Sequence, residues 1–298
     1  MKVLVSGSAG QVGSSLVEYL MKDHQVVGVD LRVPEYEDVK KLTAKGDVRD
    51  AGQMKKLMKD IDVIVHAAAS VNVDASLKEP IEDASHNIDG TLTLLECARD
   101  VNVQRFIYIS SAAVYGNPQS IPIKEDEHLH PISPYGASKL TGEIYSMVYY
   151  RSFDLPAVCI RPFNIYSERG DPNSPYSGVI TRFKDSIARS KSPVIFGDGC
   201  HTRDFIHVLD VVKMIERCMS SKRAIGRVYN CGTGIGTSIM SLANLMISLA
   251  GKKVEPTYEK ERPGEIAHSI AETTRSKMEL GFEPTVKLEK GLKELLEC

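Results

Sequence analysis

Short, nearly continuous apolar runs recur through the first half of the chain: KVLVSG (2–7), VVGVD (26–30), DVIVHAA (62–68), RFIYISS (105–111) and AVCIRPF (157–163). They are rich in Val and Ile and lack a polar alternate face, the pattern of parallel strands covered on both sides. Between them the period changes to that of a helix. Residues 11–22 align Val12, Leu16, Tyr19 and Leu20, residues 87–99 align Ile88, Leu92, Leu95 and Ala98, and residues 135–150 carry Leu140, Ile144, Met147 and Val148. This alternation predicts an α/β chain with a doubly wound parallel sheet.

After about Asn164 the rhythm breaks. The stretch SERGDPNSPYSG (167–178) is dense in turn residues, and a helix (179–189), a strand (193–196) and a turn at Gly197–Gly199 follow. Residues 204–219 and 227–232 read as a further strand-helix-strand unit. Thr237 or Ser238 can cap a helix that stops at Gly251, and 260–269 reads as a loop. The expected division is a larger unit of 1–163 with 204–232 and a smaller α/β unit of 164–203 with 233–298. The smaller one is placed over the carboxyl ends of the strands, where open α/β sheets take ligands.

The composition narrows the function. With 298 residues, 42% hydrophobic and 26% charged, the chain is long enough for a sizeable core, and its net charge of −2 gives no global basic field for nucleic acid or an anionic membrane. Apolar runs fall short of a spanning helix. Six scattered cysteines without C-x-x-C fit a reduced, cytoplasmic setting, and the His128/His130 pair lacks a third ligand, so no metal site is expected.

Gly7, Gly10 and Gly13 stand directly after the first strand and before the first helix, with Gln11 and Val12 at the helix head. In that context they predict a Rossmann-type turn whose backbone and helix N-terminus receive a pyrophosphate. Asp30 ends the next strand, where a carboxylate can accept ribose hydroxyls, followed by Leu31 and Arg32. Asp30 favours NAD because a carboxylate repels a 2′-phosphate, while Arg32 speaks for NADP. Asp47 and Val48 are in reach of the adenine, and Ala67, Ala68 and Ala69 are small enough for a dinucleotide to lie close.

Tyr135 and Lys139 share one helix face, four residues apart in Y-G-A-S-K. A phenol titrates near about 10, and an adjacent ammonium can lower that by about one to three units, which makes the pair a candidate general base. Ser110 and Ser111 end the fourth apolar run, so a hydroxyl there can hydrogen-bond a reacting oxygen or simply cap a turn.

Taken together, these motifs resemble the extended short-chain dehydrogenase/reductases, specifically nucleotide-sugar epimerases similar to UDP-galactose 4-epimerase. Further matches are G-D-V-R-D (46–50), N-I-D-G-T (87–91), S-S-A-A-V-Y-G (110–116), R-P-F-N (161–164), T-R-D-F-I-H-V (202–208) and R-P-G-E (262–265), spread over nearly the whole chain. The resemblance implies a tightly held NAD, Tyr135 as base, Lys139 orienting the nicotinamide ribose, and Ser111 on the sugar oxygen. It puts Asn87 on the cofactor with Ser110, and Pro162 and Phe163 beside the nicotinamide. It also implies Asn164, Arg203 and Arg262 at the sugar diphosphate, Glu265 among the substrate-binding residues, and Val179 and Phe196 at the uridine. A homodimer through 87–100 and 136–152 is a further implication.

Two departures matter. Tyr166-Ser167-Glu168 replaces the usual Y-G-P, and Ser269 stands where a large aromatic can crowd the sugar at C2, so N-acetylated sugars become candidates. The alternatives within the fold are 4,6-dehydratases and glucuronate epimerases or decarboxylases. Dehydratases carry Asp-Glu where this chain has Ala112 and Ala113. A non-catalytic dinucleotide sensor is the alternative outside enzymology, although sensors typically lose the tyrosine or the lysine.

Overall fold

The computed structural model describes residues 1–170, 178–261 and 266–297. Six strands, β1 (Lys2–Ser6), β2 (Gln25–Asp30), β3 (Thr43–Lys45), β4 (Val63–His66), β5 (Arg105–Ile109) and β6 (Ala157–Pro162), join the strand Arg227–Cys231 in one sheet. From one edge the order is Arg227–Cys231, β6, β5, β4, β1, β2, β3, parallel throughout. Every residue of β4, β5 and β6 is buried, which is why these segments read as unbroken apolar runs.

Helices Gln11–Leu20 and Val208–Ser220 cover one face through Leu16, Val17, Leu20, Val211, Val212 and Ile215. Helices Ala51–Leu57, Gly90–Asp100 and Pro134–Phe153 cover the other through Met54, Leu94, Leu95, Ala98 and Tyr149. The sheet order reverses at β1, with β2 on one side and β4 on the other. A crevice opens outside the carboxyl ends of the strands at such a reversal. Gly7, Asp30, Ala67, Ser110 and Phe163 all lie along that edge, at or just past their strand ends.

A second sheet pairs Thr202–His207 with Asn164–Tyr166, Gly236–Ser238 and His268–Ser269. The strand part of 204–232 therefore sits here, and only the helix and last strand of that segment belong to the large sheet. Asp204 fixes the strand in place: its buried carboxylate accepts from the N–H groups of Thr233, Gly234 and Ala271. Ser269 is paired against Arg203, so the expected loop over 260–269 contains a short strand. Helices Val179–Ala188, Ile239–Leu249 and Leu288–Glu297 close this part around Phe183, Ile195, Leu242 and Leu292. Ser238 caps the second of these, as expected, by accepting from Ser241 N. No helix among the described residues is long and apolar enough to cross a membrane.

Candidate functional site

The turn after β1 is built for close backbone approach. Gly7 has φ of +75°, and a Cβ there would lie 2.6 Å from Ala68 N, so glycine is demanded by conformation and by space. Ala68 N in turn donates to Ser6 Oγ. Gly10 opens helix Gln11–Leu20 without a side-chain cap, and the first bond along it is Ser14 N to Gly10 O. The N–H groups of Gln11, Val12 and Gly13 stand at the mouth of the turn, at the positive end of the helix dipole.

Asp30 accepts from Ala9 N at 2.9 Å and from Arg32 N at 2.8 Å, so its carboxylate holds the glycine turn as well as its own. Arg32 is largely exposed, 3.9 Å from that carboxylate, and Leu31 is exposed. The Gln11 side-chain amide donates to Ser167 Oγ at 2.8 Å. This gives the Ser167 departure a physical reason. The strap after Asn164–Tyr166 is clamped to the first helix, helped by Arg169, which pairs with Glu18 and stacks on Tyr36 at 3.8 Å.

The two residues expected at the adenine are held from the protein side. Asp47 pairs with Arg49 at 2.6 Å, which holds its carboxyl below the usual range, and Val48 is buried in the core under helix Gly90–Asp100.

The reaction residues converge from two elements. Ser133 caps helix Pro134–Phe153 by accepting from Gly136 N, and Pro134 occupies its first turn. A Cβ on Gly136 would lie 2.8 Å from Ala113 O, so this glycine lets the helix head press on the segment after β5. That contact brings Tyr135 near Ser111, whose hydroxyl acts to lower the pKa of the phenol. Ser111 also caps the turn Ala112–Tyr115, accepting from Ala113 N at 3.1 Å. Ser110 Oγ is buried with no hydrogen-bond partner, an orphaned polar atom at the edge of the crevice. That orphan, the uncapped helix start and the carboxylate ending β2 fit a dinucleotide.

Lys139 is buried, its Nζ 4.8 Å from the centre of the Tyr108 ring. Burial pushes its pKa down from 10.5 to about 8, partly opposed by Asp83. The Tyr135 phenol is pushed up by burial, and the opposing influence is the Ser111 hydroxyl. The sequence expectation assigned that lowering to the Lys139 ammonium. Here the phenol stands raised overall, with Ser111 as the influence opposing its burial.

Asn87, expected at the cofactor, is engaged with protein on several sides. It lies in a π turn, Ser85–Asp89, that precedes helix Gly90–Asp100. Its Nδ2, with two hydrogens, has three acceptors at 3.0 Å, namely Ser70 O, Asp83 Oδ1 and Ser138 Oγ, and its Oδ1 accepts from Ser70 N. All of this capacity goes to protein, so Asn87 braces the site. Sequence reasoning missed Asp83, Ser138 and Ser76, whose Oγ accepts from Tyr135 N at 3.1 Å. Their only signal was the one-turn Asp83/Asn87 spacing, too common to notice.

Beneath the pair, Arg161 of R-P-F-N is buried and doubly bound to Glu143, and it donates to Tyr115 Oη at 2.8 Å. Phe163 is buried against Tyr115, with Pro162 at the strand end. On the other side of the crevice, Asn164 Nδ2 donates to Asp204 O at 3.2 Å, and Arg203 donates to Thr202 O and Ala267 O. Val179 opens helix Val179–Ala188, Phe196 ends the strand Val194–Phe196, and Ser269 is buried beside Arg203 in register. Ala69 lies past β4 beside the glycine turn. Arg262 and Glu265 fall outside the described residues. Among the described residues no group of side chains is placed to hold a metal ion.

Residues 3–232 match the NAD dependent epimerase/dehydratase family, and the chain belongs to that family. It is an extended short-chain dehydrogenase/reductase of the epimerase type, dependent on NAD. A UDP-glucose 4-epimerase of Mycolicibacterium smegmatis is 36% identical over 100% of this chain and 98% of its own. The solved UDP-glucose 4-epimerase of Thermotoga maritima, holding UDP-glucose, superposes with a TM-score of 0.95 at 35% identity, covering 100% of this chain and 98% of that one. The UDP-N-acetylglucosamine 4-epimerase of Methanobrevibacter ruminantium gives 0.94 at 33% identity, covering 99% and 97%.

The depressed Lys139 pKa has a consequence for stability. Unfolding restores a lysine near 10.5, so at pH 7 the unfolded chain holds this proton more readily than the folded one, and folding carries a penalty of at most about 3 kcal/mol. The penalty fades as pH rises from about 8 to 10.5. With dinucleotide removed, Lys139→Met should therefore unfold at higher denaturant than wild type at pH 7, with the gap closing at alkaline pH. A variant less stable than wild type at pH 7 contradicts this.

Proposed function

We propose that the protein inverts C4 of a UDP-linked hexose, with UDP-glucose and UDP-galactose as substrates and UDP-GlcNAc and UDP-GalNAc accepted as well. The observation that carries the reading is the buried Tyr135 phenol, near Ser111 and one helical turn from Lys139, at the carboxyl edge of the sheet that bears the glycine turn. Gly7, Gly10 to Gly13, Asp30, Ala67 to Ala69 and Ser110 hold NAD along that edge, with Pro162 and Phe163 beside the nicotinamide. The chemistry supplied by bound NAD is removal and return of hydride at C4.

Tyr135 takes the proton of the 4-hydroxyl as the carbonyl forms, and Ser111 holds the same oxygen. Lys139 orients the ribose and favours the phenolate once a ligand fills the site. The 4-keto sugar turns about its diphosphate link, held by Asn164, Arg203 and Arg262, and Tyr135 returns the proton on reduction. Ala112 and Ala113 supply no acid to help a hydroxyl leave, so the chain lacks the dehydratase equipment at that place. In this reading the large unit serves the cofactor and the smaller one the sugar nucleotide, the division drawn from sequence.

We also propose a homodimer through 87–100 and 136–152. Ile144, Tyr145 and Val148 stand exposed on helix Pro134–Phe153, an apolar stripe on an outer face. Sedimentation should give twice the chain mass at micromolar concentration, and a monomer would refute the dimer.

Purified protein given UDP-glucose, UDP-GlcNAc and UDP-glucuronate in turn, without added NAD, should produce the C4 epimers of the first two, and Tyr135→Phe should lower turnover at least about 100-fold. An active Tyr135→Phe enzyme, or turnover of the glucuronate alone, counts against the reading. Ser269→Tyr should slow the N-acetylated sugars selectively by about tenfold or more, since a pocket discriminates by added bulk. Equal slowing of both classes would show that Ser269 does not border C2.

A further inference from the structure

Asp83 lies on the short helix Pro80–Ala84 with 3% of its surface exposed. Its Oδ1 accepts from Asn87 Nδ2, while Oδ2 is buried with no hydrogen-bond partner. A buried carboxylate oxygen without a donor is costly, so its persistence points to a role beyond packing. From Asn87 the hydrogen-bond chain continues to Ser138 Oγ, which donates to Tyr135 O at 3.0 Å. Asn87 Oδ1 meanwhile ties down Ser70 N, in the segment after β4. One carboxylate thus braces both walls of the crevice at the reaction centre.

We propose that Asp83 is a positioning residue of the reaction, its buried carboxylate holding the head of helix Pro134–Phe153 through Asn87 and Ser138 and setting the charge balance around Tyr135 and Lys139. This rests on the reading of Tyr135 as base and Lys139 as its cationic partner.

Among the described residues, Asp83 is the carboxylate that acts on both groups, and the other titratable groups packed around the pair are neutral or ion-paired. On β4, His66 is held neutral by burial, down to about 3, between Ser6 and Thr91. On β5 and β6, burial pushes the Tyr108 phenol and the Cys159 thiol well up, so both stay protonated. On the helix itself, Glu143 is committed to Arg161. Asp83 pushes the pKa of Lys139 up against the effect of burial and also raises that of Tyr135. Neutralising it moves both groups downward.

The test is the pH profile of kcat, beside wild type and Tyr135→Phe. Asp83→Asn keeps size and an acceptor for Asn87 while removing the charge, and Asp83→Ser is a second neutral replacement. Both limbs of the profile should move to lower pH by about one unit, because a nearby charge shifts a pKa by about that much or more. Asp83→Glu should keep the profile within a few tenths of a unit of wild type. A purely structural residue would lower the height of the profile and leave its position alone, and that result overturns the proposal. Failure of both neutral variants to fold would also overturn it, by assigning Asp83 to stability. An inactive wild type, or an active Tyr135→Phe, would instead mark failure of the epimerase reading on which the proposal stands.

Discussion

The site depends on keeping an ammonium and a phenol dry next to each other. Lys139 and Tyr135 are both nearly inaccessible to water, and desolvation disfavours the charged form of each. The surroundings offset this in specific ways. The Tyr108 ring faces the Lys139 Nζ, Asp83 contributes the opposing charge, and the Ser111 hydroxyl works against the rise in the phenol's pKa. Wherever water enters, these terms shrink toward their values in bulk solvent. The close approach of helix Pro134–Phe153 to the segment after β5, allowed by Gly136, is thus as necessary to the chemistry as the tyrosine itself.

That helix is held from below and from the side. Glu143 locks it to Arg161 on β6, and Ser138 and Ser76 tie its first turn to the short helices beside the crevice. At the opposite wall, the Gln11–Ser167 hydrogen bond and the Arg169 clamp fasten the strap after Asn164–Tyr166 to the first helix. A groove between two braced walls suits a cofactor that stays in place while a substrate carbon is oxidised and reduced.

The sheet was legible from the sequence because its central strands are buried on both faces and therefore read as continuous apolar runs. β3 was not, because Thr43-Ala-Lys45 carries no apolar pattern; pairing with β2 makes it a strand. The short helices Glu37–Leu42, Val73–Lys78 and Pro80–Ala84 span barely one turn or two, too few residues for a period to show. Tyr135, Lys139, Ser111 and the glycine turn were visible because local spacing and strand ends place them. The braces were hidden, since Gln11 meets Ser167 across 156 positions and Asn87 meets Ser138 across 51. The upward push on the phenol was hidden for a related reason: helical spacing shows that two side chains are neighbours but not how dry they are.

The most direct test follows the hydrogen on C4. Purified protein should be incubated in ordinary water with UDP-glucose deuterated at C4 and no added NAD. The account predicts a C4 epimer that keeps the deuterium on C4, because the hydride leaves and returns within one closed site. Deuterium lost to solvent, or moved to C6 with loss of water, would contradict it.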